Sequence, residues 1–396
     1  MIYYILENLS INYPNIFKDL FELFKYYPIR AAFAAISSLF ICFLIGPKII
    51  RTLIVHHYGE TIRKTGPESH NAKKGTPTMG GIIIILSIIL PTVLFAQLNN
   101  YFIIICLVSI CWMGLIGFID DYLKIKKKFT KGLIARYKIM GQLLLGLFVV
   151  VMLFENSENI HYTILNGEIF SGLNGEVQPI HSISIPFLKN YTYELFESEL
   201  LAKISYALLI IFVIMGTSNA VNLSDGLDGL ATGLTVIATL TFAVFCWLSG
   251  TAWISNYLNI LYIEQSKELF IFCLAVAGSC IGFLWYNAKP AKIFMGDVGS
   301  LTLGAILGCL AILLKREILL ILIGGVFVIE SLSVIIQVLY FRYTKRKYGK
   351  GIRLFLMAPI HHHFELKGLE ENHVVIRFWI IGVIFALIAL STIKIQ

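Results

Sequence analysis

The polar residues of this chain are bunched. Between them lie long apolar runs that show neither the stripe of an amphipathic helix nor the alternation of a half-buried strand. A run of about 18 or more apolar residues is long enough to cross the hydrocarbon layer of a bilayer. Backbone polar groups cannot stay unpaired in lipid, so such runs must be helices. Ten spans are predicted, over roughly 31–50, 78–97, 101–119, 134–154, 203–221, 228–248, 269–286, 298–314, 318–341 and 375–393. An even number places both termini on one side. A spanning β-barrel would show short alternating strands instead, and none are visible. The expectation is an all-α polytopic membrane protein, with residues 1–396 forming a single integral membrane domain.

Three segments outside the spans have their own character. Residues 1–30 mix acidic and aromatic positions (Glu7, Asp19, Phe21, Glu22, Phe24), without the basic start or small-residue cleavage site of a signal peptide. They read as a short amphipathic lead-in. Residues 155–202 form the longest loop, with β-branched residues and turn formers at Asn166-Gly167, Asn174-Gly175 and Ile183-Ser184-Ile185-Pro186. That pattern predicts a small β-hairpin, to which no chemistry is assigned. Residues 342–373 form a basic loop containing three consecutive histidines.

Composition agrees with a membrane protein. Charged residues make up 14%, against roughly 25% in a soluble domain, and the mean hydropathy is +0.79. The net charge of +8 would raise nucleic acid as a partner for a soluble protein; here the Lys and Arg instead report topology. Loops after odd-numbered spans hold 22 of the 32 basic residues, whereas 155–202 carries seven Glu and only Lys189. The basic side is expected to be cytoplasmic, with both termini outside. All seven Cys fall in or at spans without metal-ligand spacing, and read as packing residues.

Of six Asp, five lie at the cytoplasmic ends of predicted spans. Asp120 and Asp121 close the third span. Asp225 and Asp228 lie between the fifth and sixth, in Asn222-Leu223-Ser224-Asp225-Gly226-Leu227-Asp228-Gly229. Asp297 opens the eighth, in Phe294-Met295-Gly296-Asp297-Val298-Gly299-Ser300. Helix N-capping would explain Asp297 and Asp228. It fails for Asp120 and Asp121, where a helix C-terminus disfavours two adjacent carboxylates unless a cation is near. A hard divalent cation such as Mg²⁺, bound by carboxylates together with substrate phosphates, fits such a set.

The same face carries phosphate-binding groups. Lys73, Lys74, Thr76, Thr78, Gly80 and Gly81 cluster before the second span, where lysine offers a point charge and glycine lets backbone approach a ligand. The run Lys124, Lys126, Lys127, Lys128 and Lys131 reads mainly as a topology and anionic-lipid signal. His361, His362 and His363, followed by Phe364 and Glu365, lack the converging spacing of a zinc site. Phosphate hydrogen bonding or proton transfer suits them better.

With these motifs in order, the chain from about residue 30 onward resembles the bacterial phospho-N-acetylmuramoyl-pentapeptide transferases, a branch of the polyprenyl-phosphate N-acetylhexosamine-1-phosphate transferase superfamily. Five stretches carry the resemblance: Lys74–Gly81, Asp120-Asp121, Asn222–Gly229, Phe294–Ser300 and Ala358–Glu365. The resemblance implies transfer of phospho-MurNAc-pentapeptide from UDP-MurNAc-pentapeptide to undecaprenyl phosphate, giving UMP and lipid I for peptidoglycan, with Mg²⁺ required. It implies a bacterial cytoplasmic-membrane location and an active site on the cytoplasmic face, and it allows a homodimer. It makes Asp297 the principal metal ligand, with Asp120 and Asp121 serving the metal or deprotonating the lipid phosphate. Lys73, Gly226, Leu227, Asp228, Asn287 and Phe294 would form the uridine pocket, with Phe294 stacked on uracil and Thr78 among the substrate contacts. Asn222 and Asp225 would line the ribose-to-diphosphate region. His361 would act in catalysis, and His362 and His363 would face the diphosphate or sugar.

Two alternatives stay open. A sister transferase using UDP-GlcNAc would share the Asp motifs; the His361–Glu365 stretch argues against it. A transporter would show intramembrane charge, and Glu330 is the one clear mid-span acid; it reads as a helix–helix hydrogen-bonding residue. The absence of a visible internal repeat weakens that reading.

Overall fold

A computed structural model of the chain describes residues 1–56, 75–126, 132–165, 175–186 and 192–394. Two short helices, α1 (Ile2–Asn12) and α2 (Pro14–Lys25), lead into α3 (Tyr27–Val55), α4 (Gly81–Phe95), α5 (Tyr101–Lys126) and α6 (Ala135–Glu155). Two antiparallel strand pairs follow. β1 (Tyr162–Leu165) joins β2 (Gly175–Gln178), with Tyr162 opposite Gln178, and β3 (Ile183–Ser184) joins β4 (Thr192–Tyr193). The remaining helices are α7 (Glu199–Ser224), α8 (Leu230–Gly250), α9 (Ala252–Leu258), α10 (Ser266–Asn287), α11 (Gly296–Leu313), α12 (Leu320–Ile323), α13 (Gly325–Tyr348), α14 (Ile360–Leu366) and α15 (Glu371–Ser391).

Among the described residues, nine helices are long and apolar enough to cross a membrane, and α4 is a shorter apolar helix. They coincide with the ten predicted spans. At 1.5 Å per residue, the 15 residues of α4 reach only about 22 Å, short of a bilayer core of about 30 Å. The residues before it pair instead with the chain leading into α11: the Phe294 N–H donates to Pro77 O, and the Gly80 and Gly81 N–H groups donate to Phe294 O and Met295 O at 2.8–2.9 Å.

Helix α11 is the axis of the bundle; every residue from Val298 to Leu313 is buried. Close approach makes this burial feasible. A Cβ on Gly81 would strike the backbone of Gly299, and one on Gly117 would strike the backbone of Asp297. α4 and α5 are thus drawn against the first turn of α11. Large apolar side chains such as Phe212, Leu208, Trp285 and Leu387 point outward. In water so extensive an apolar surface would be a liability; in lipid it is the solvated face.

The end of the bundle away from the Asp motifs is fastened by buried charge. Arg30 makes a bidentate pair with Glu268 at 2.9 and 2.7 Å. Lys315 donates to Ile180 O, to Ser182 O at 3.0 Å and to the Tyr206 hydroxyl at 2.8 Å, and Tyr206 donates to Glu317 at 2.6 Å. Burial lowers the Lys315 pKa to about 8 and raises that of Glu317. The expected β structure in the long loop is present, and Lys315 ties it to the corner between α11 and α12. The turn residues Asn166-Gly167 and Asn174, with Lys189, lie outside the described residues.

One predicted boundary is corrected. The third span was expected to end at 119, with Asp120 and Asp121 at its C-terminus. α5 instead continues to Lys126. The two carboxylates therefore sit within the helix, one turn before Lys124. That spacing lets Lys124 form ion pairs with Asp120 (i, i+4) and, at 3.6 Å, with Asp121 (i, i+3), the relation that supports a helix carrying paired charge.

Candidate active site

Asp120 and Asp121 on α5 meet Asp297 in the first turn of α11. One carboxylate oxygen from each lies within 4.8 Å of the others. Among the described residues, this is the one such gathering of three metal-competent side chains. Asp297 profits from the positive end of its helix. The side chains of Asp120 and Asp121 are 0% and 4% exposed, whereas Asp297 is 13% exposed. Asp297 is thus the member most open to an incoming group.

Each carboxylate is separately oriented. Leu133 N–H donates to Asp120 Oδ1 at 2.6 Å, and Val298 N–H donates to Asp121 Oδ2 at 3.2 Å. The Asn222 amide at the end of α7 donates to Asp297 Oδ1 and to Ser300 Oγ, both at 2.8 Å. Lys124 and Lys138 reach Asp297 Oδ2 at 3.0 and 2.5 Å, and Lys138 also reaches Asp120 at 3.0 Å. With all five groups ionised, three carboxylates and two ammonium groups leave one negative charge uncompensated. The donors are all hard oxygens, with no thiolate or imidazole among them, and this set suits a hard divalent cation. Lys138 was missed from the sequence because it lies on α6, and nothing in its local pattern marks it. Lys124 was read as part of a topology run, although its spacing from Asp120 and Asp121 held the signal.

A second set gathers beside the first. Asn287 Oδ1 accepts from Gly229 N–H at 3.1 Å and the Thr232 hydroxyl at 3.0 Å, and its Nδ2 donates to Ile293 O at 3.0 Å. Asp228 Oδ2 accepts from Ala291 N–H at 3.1 Å. Its own N–H donates to Glu371 at 3.0 Å, and Glu371 pairs with Lys289 at 3.3 Å. The loop after α7, which holds Asp225, Gly226 and Leu227, is therefore pinned to the end of α10. Phe294, three residues before Asp297, is partly exposed; Leu227 is buried in the core. Thr78 is nearly buried, its hydroxyl beside Gly296. Glu371 and Lys289 were not anticipated. Lys73 lies outside the described residues, as do Lys74 and Lys127, Lys128 and Lys131.

The histidines occupy α14. His361 Nδ1 lies 3.0 Å from Glu330 Oε2, so Glu330 does join two helices, α13 and α14. His362 pairs with Glu365 at 2.8 Å. His363 Nδ1 accepts from Leu356 N–H at 3.1 Å, which requires that nitrogen unprotonated. Desolvation, with Lys367 nearby, lowers the His363 pKa in the same sense. The three rings thus have three different environments, and only His361 is fully buried.

Comparison with known proteins follows the same residues. The pattern of glycosyl transferase family 4 matches residues 103–315, which include Asp120, Asp121 and Asp297. The phospho-N-acetylmuramoyl-pentapeptide-transferase signature 1 matches residues 73–85. The phospho-N-acetylmuramoyl-pentapeptide-transferase of Thermodesulfovibrio yellowstonii is 46% identical over 396 residues, covering 100% of both chains. That of Desulfosudis oleivorans is 46% identical over 376 residues, 95% of this chain and 96% of its own. That of Flavobacterium psychrophilum is 42% identical over 416 aligned positions, covering 100% of both.

Proposed function

The chain belongs to the phospho-N-acetylmuramoyl-pentapeptide transferase family, and from that premise we propose that it moves phospho-MurNAc-pentapeptide from UDP-MurNAc-pentapeptide to undecaprenyl phosphate. The products are UMP and lipid I, for peptidoglycan synthesis. The observation that carries this reading is the convergence of Asp120, Asp121 and Asp297 with Lys124 and Lys138 at one end of a membrane bundle. The bias of Lys and Arg toward that end supports placing it on the cytoplasmic side, with both termini outside, and the family places the chain in the bacterial inner membrane. One substrate is soluble and the other a lipid; a site at that interface is where both can meet.

Asp297, Asp120 and Asp121 would hold Mg²⁺, which when bound neutralises phosphate charge and orients the donor diphosphate. The chain's own groups do the rest. Lys124 and Lys138 lower the repulsion between an anionic acceptor and an anionic donor. Asn222 fixes the rotamer of Asp297, and the Val298 N–H fixes that of Asp121, so the carboxylates are oriented before substrate arrives. Lys73, Gly226, Leu227, Asp228, Asn287 and Phe294 form the nucleotide pocket, with the Phe294 ring on uracil, and Thr78 is a further substrate contact. Leu227 serves from the core, by shaping the loop. Asp225 lies toward the diphosphate. His362 and His363 face the diphosphate or sugar from α14, and His361 acts in the transfer step. The account needs only a single copy of the chain and is compatible with a homodimer in the membrane.

The test offers purified protein undecaprenyl phosphate with either UDP-MurNAc-pentapeptide or UDP-GlcNAc. UMP release from the muramyl donor is expected. Release from UDP-GlcNAc alone would assign the chain to the sister activity.

A further inference from the structure

We propose that Glu330 is a positioning residue for the transfer reaction, acting through His361. The inference rests on the functional reading above and deepens it.

Glu330 lies on α13, a helix whose neighbouring side chains Ile329, Leu332, Ile335 and Ile336 are exposed to lipid. A carboxylate within a span is expensive, and is retained where it serves a function. Glu330 and His361 are both 0% exposed, and Glu330 Oε2 stands 3.0 Å from His361 Nδ1. The pair has two loose ends. Neither Glu330 Oε1 nor His361 Nε2 has a hydrogen-bond partner among the described residues, although both atoms are buried. An unsatisfied buried polar atom costs about 1–3 kcal/mol. A pair kept for packing alone would be replaced by apolar side chains at no loss.

The position of His361 Nε2 gives the loose end a purpose. Its neighbour is the Cα of Gly226; any side chain there would collide with the imidazole at Nε2 and Cε1. Gly226 belongs to the loop that links Asn222, on the carboxylate cluster, with Asp228 and the Asn287 anchor. A carboxylate that accepts the Nδ1–H of an imidazole fixes its tautomer and ring orientation. Glu330 therefore presents Nε2 to the underside of the Asp225–Gly229 loop. Nε2 gains its partner when the nucleotide-sugar donor seats on that loop.

The test is a double-mutant cycle of E330Q and H361N on UMP release, with ¹⁵N-histidine spectra of the wild-type chain and of E330Q; H361N assigns the His361 signals. E330Q should lower kcat by roughly 10- to 100-fold, as loss of a partner that orients a functional His does. The double variant should be no slower than H361N, because Glu330 acts through that ring. In the wild type, His361 Nδ1 should carry the proton, and Nε2 should shift when UDP-MurNAc-pentapeptide is added without acceptor lipid. If E330Q does not fold, this wild-type response decides the matter. E330Q turnover within twofold of wild type, losses that add across the cycle, or a silent Nε2 would each overturn the proposal. Should the wild type release UMP from neither UDP-sugar, the functional reading fails on its own. The pair is then judged by whether E330Q removes the proton from Nδ1.

Discussion

The Asn222 amide, 75 positions earlier in the chain, holds Asp297 Oδ1 at 2.8 Å. The partner oxygen, Oδ2, faces Lys124 and Lys138. One carboxylate is thus divided between a neutral donor that fixes its rotamer and cations that fix its charge. Replacing Asn222 with Ala should leave the fold intact and lower turnover by roughly 10- to 100-fold, the scale for losing a partner that orients a ligand group. UMP release measured on Asn222→Ala checks this; a rate within twofold of wild type would remove Asn222 from the arrangement.

Phe294 is held by its backbone to Pro77 and Gly80 while its ring stays partly exposed. Phe294→Ala should weaken UMP binding by roughly 1–3 kcal/mol, the range for one base stacked on an aromatic ring. Calorimetric titration of UMP into wild type and variant measures this directly. Equal affinities would exclude the stacking role.

Gly117 is read here as a spacer whose missing side chain admits the backbone of Asp297. Gly117→Ala should destabilise the protein by about 1–3 kcal/mol, as overpacking does, and lower turnover because the residue displaced is Asp297. Thermal unfolding and UMP release measured on the same preparation test both parts. A variant equal to wild type in each would show that α5 and α11 have room to spare.

Lys315 makes a prediction about pH. Its pKa is about 8 in the folded chain and about 10.4 when unfolded. Between those values the unfolded chain holds a proton that the native one has released, so stability contributed at this site rises with pH. The unfolding temperature of wild type relative to Lys315→Met should climb from about pH 8 to pH 10. Parallel curves would mean that Lys315 is not desolvated.

The hydropathy of the chain made its architecture legible, because in lipid every backbone polar group must be paired within its own helix. It did not reveal that α4 is short, since the backbone pairing of Pro77 and Gly80 with Phe294 is a contact over more than two hundred residues. The carboxylates were legible because Asp is scarce and five of the six lie near predicted span ends. The end of α5 was misplaced by reading apolarity alone, when the Asp120–Lys124 spacing already favoured another helical turn. Lys138, Glu371, Lys289 and the partner of Glu330 were hidden for one reason. Each sits on a helix whose own sequence gives no hint of what stands opposite, and only packing brings Lys138 to Asp297, Glu371 to Asp228 and Glu330 to His361.

The central claim is that Asp297, with Asp120 and Asp121, holds the divalent cation on which phosphosugar transfer depends. The direct measurement is UMP release from UDP-MurNAc-pentapeptide and undecaprenyl phosphate, after chelation and again after Mg²⁺ is restored, for wild type and Asp297→Asn. Chelation should stop the wild type and Mg²⁺ should restore it. Asp297→Asn, folded by its unfolding temperature, should stay inactive under both conditions. Turnover that survives chelation, or an Asp297→Asn variant that works near the wild-type rate, would contradict the account.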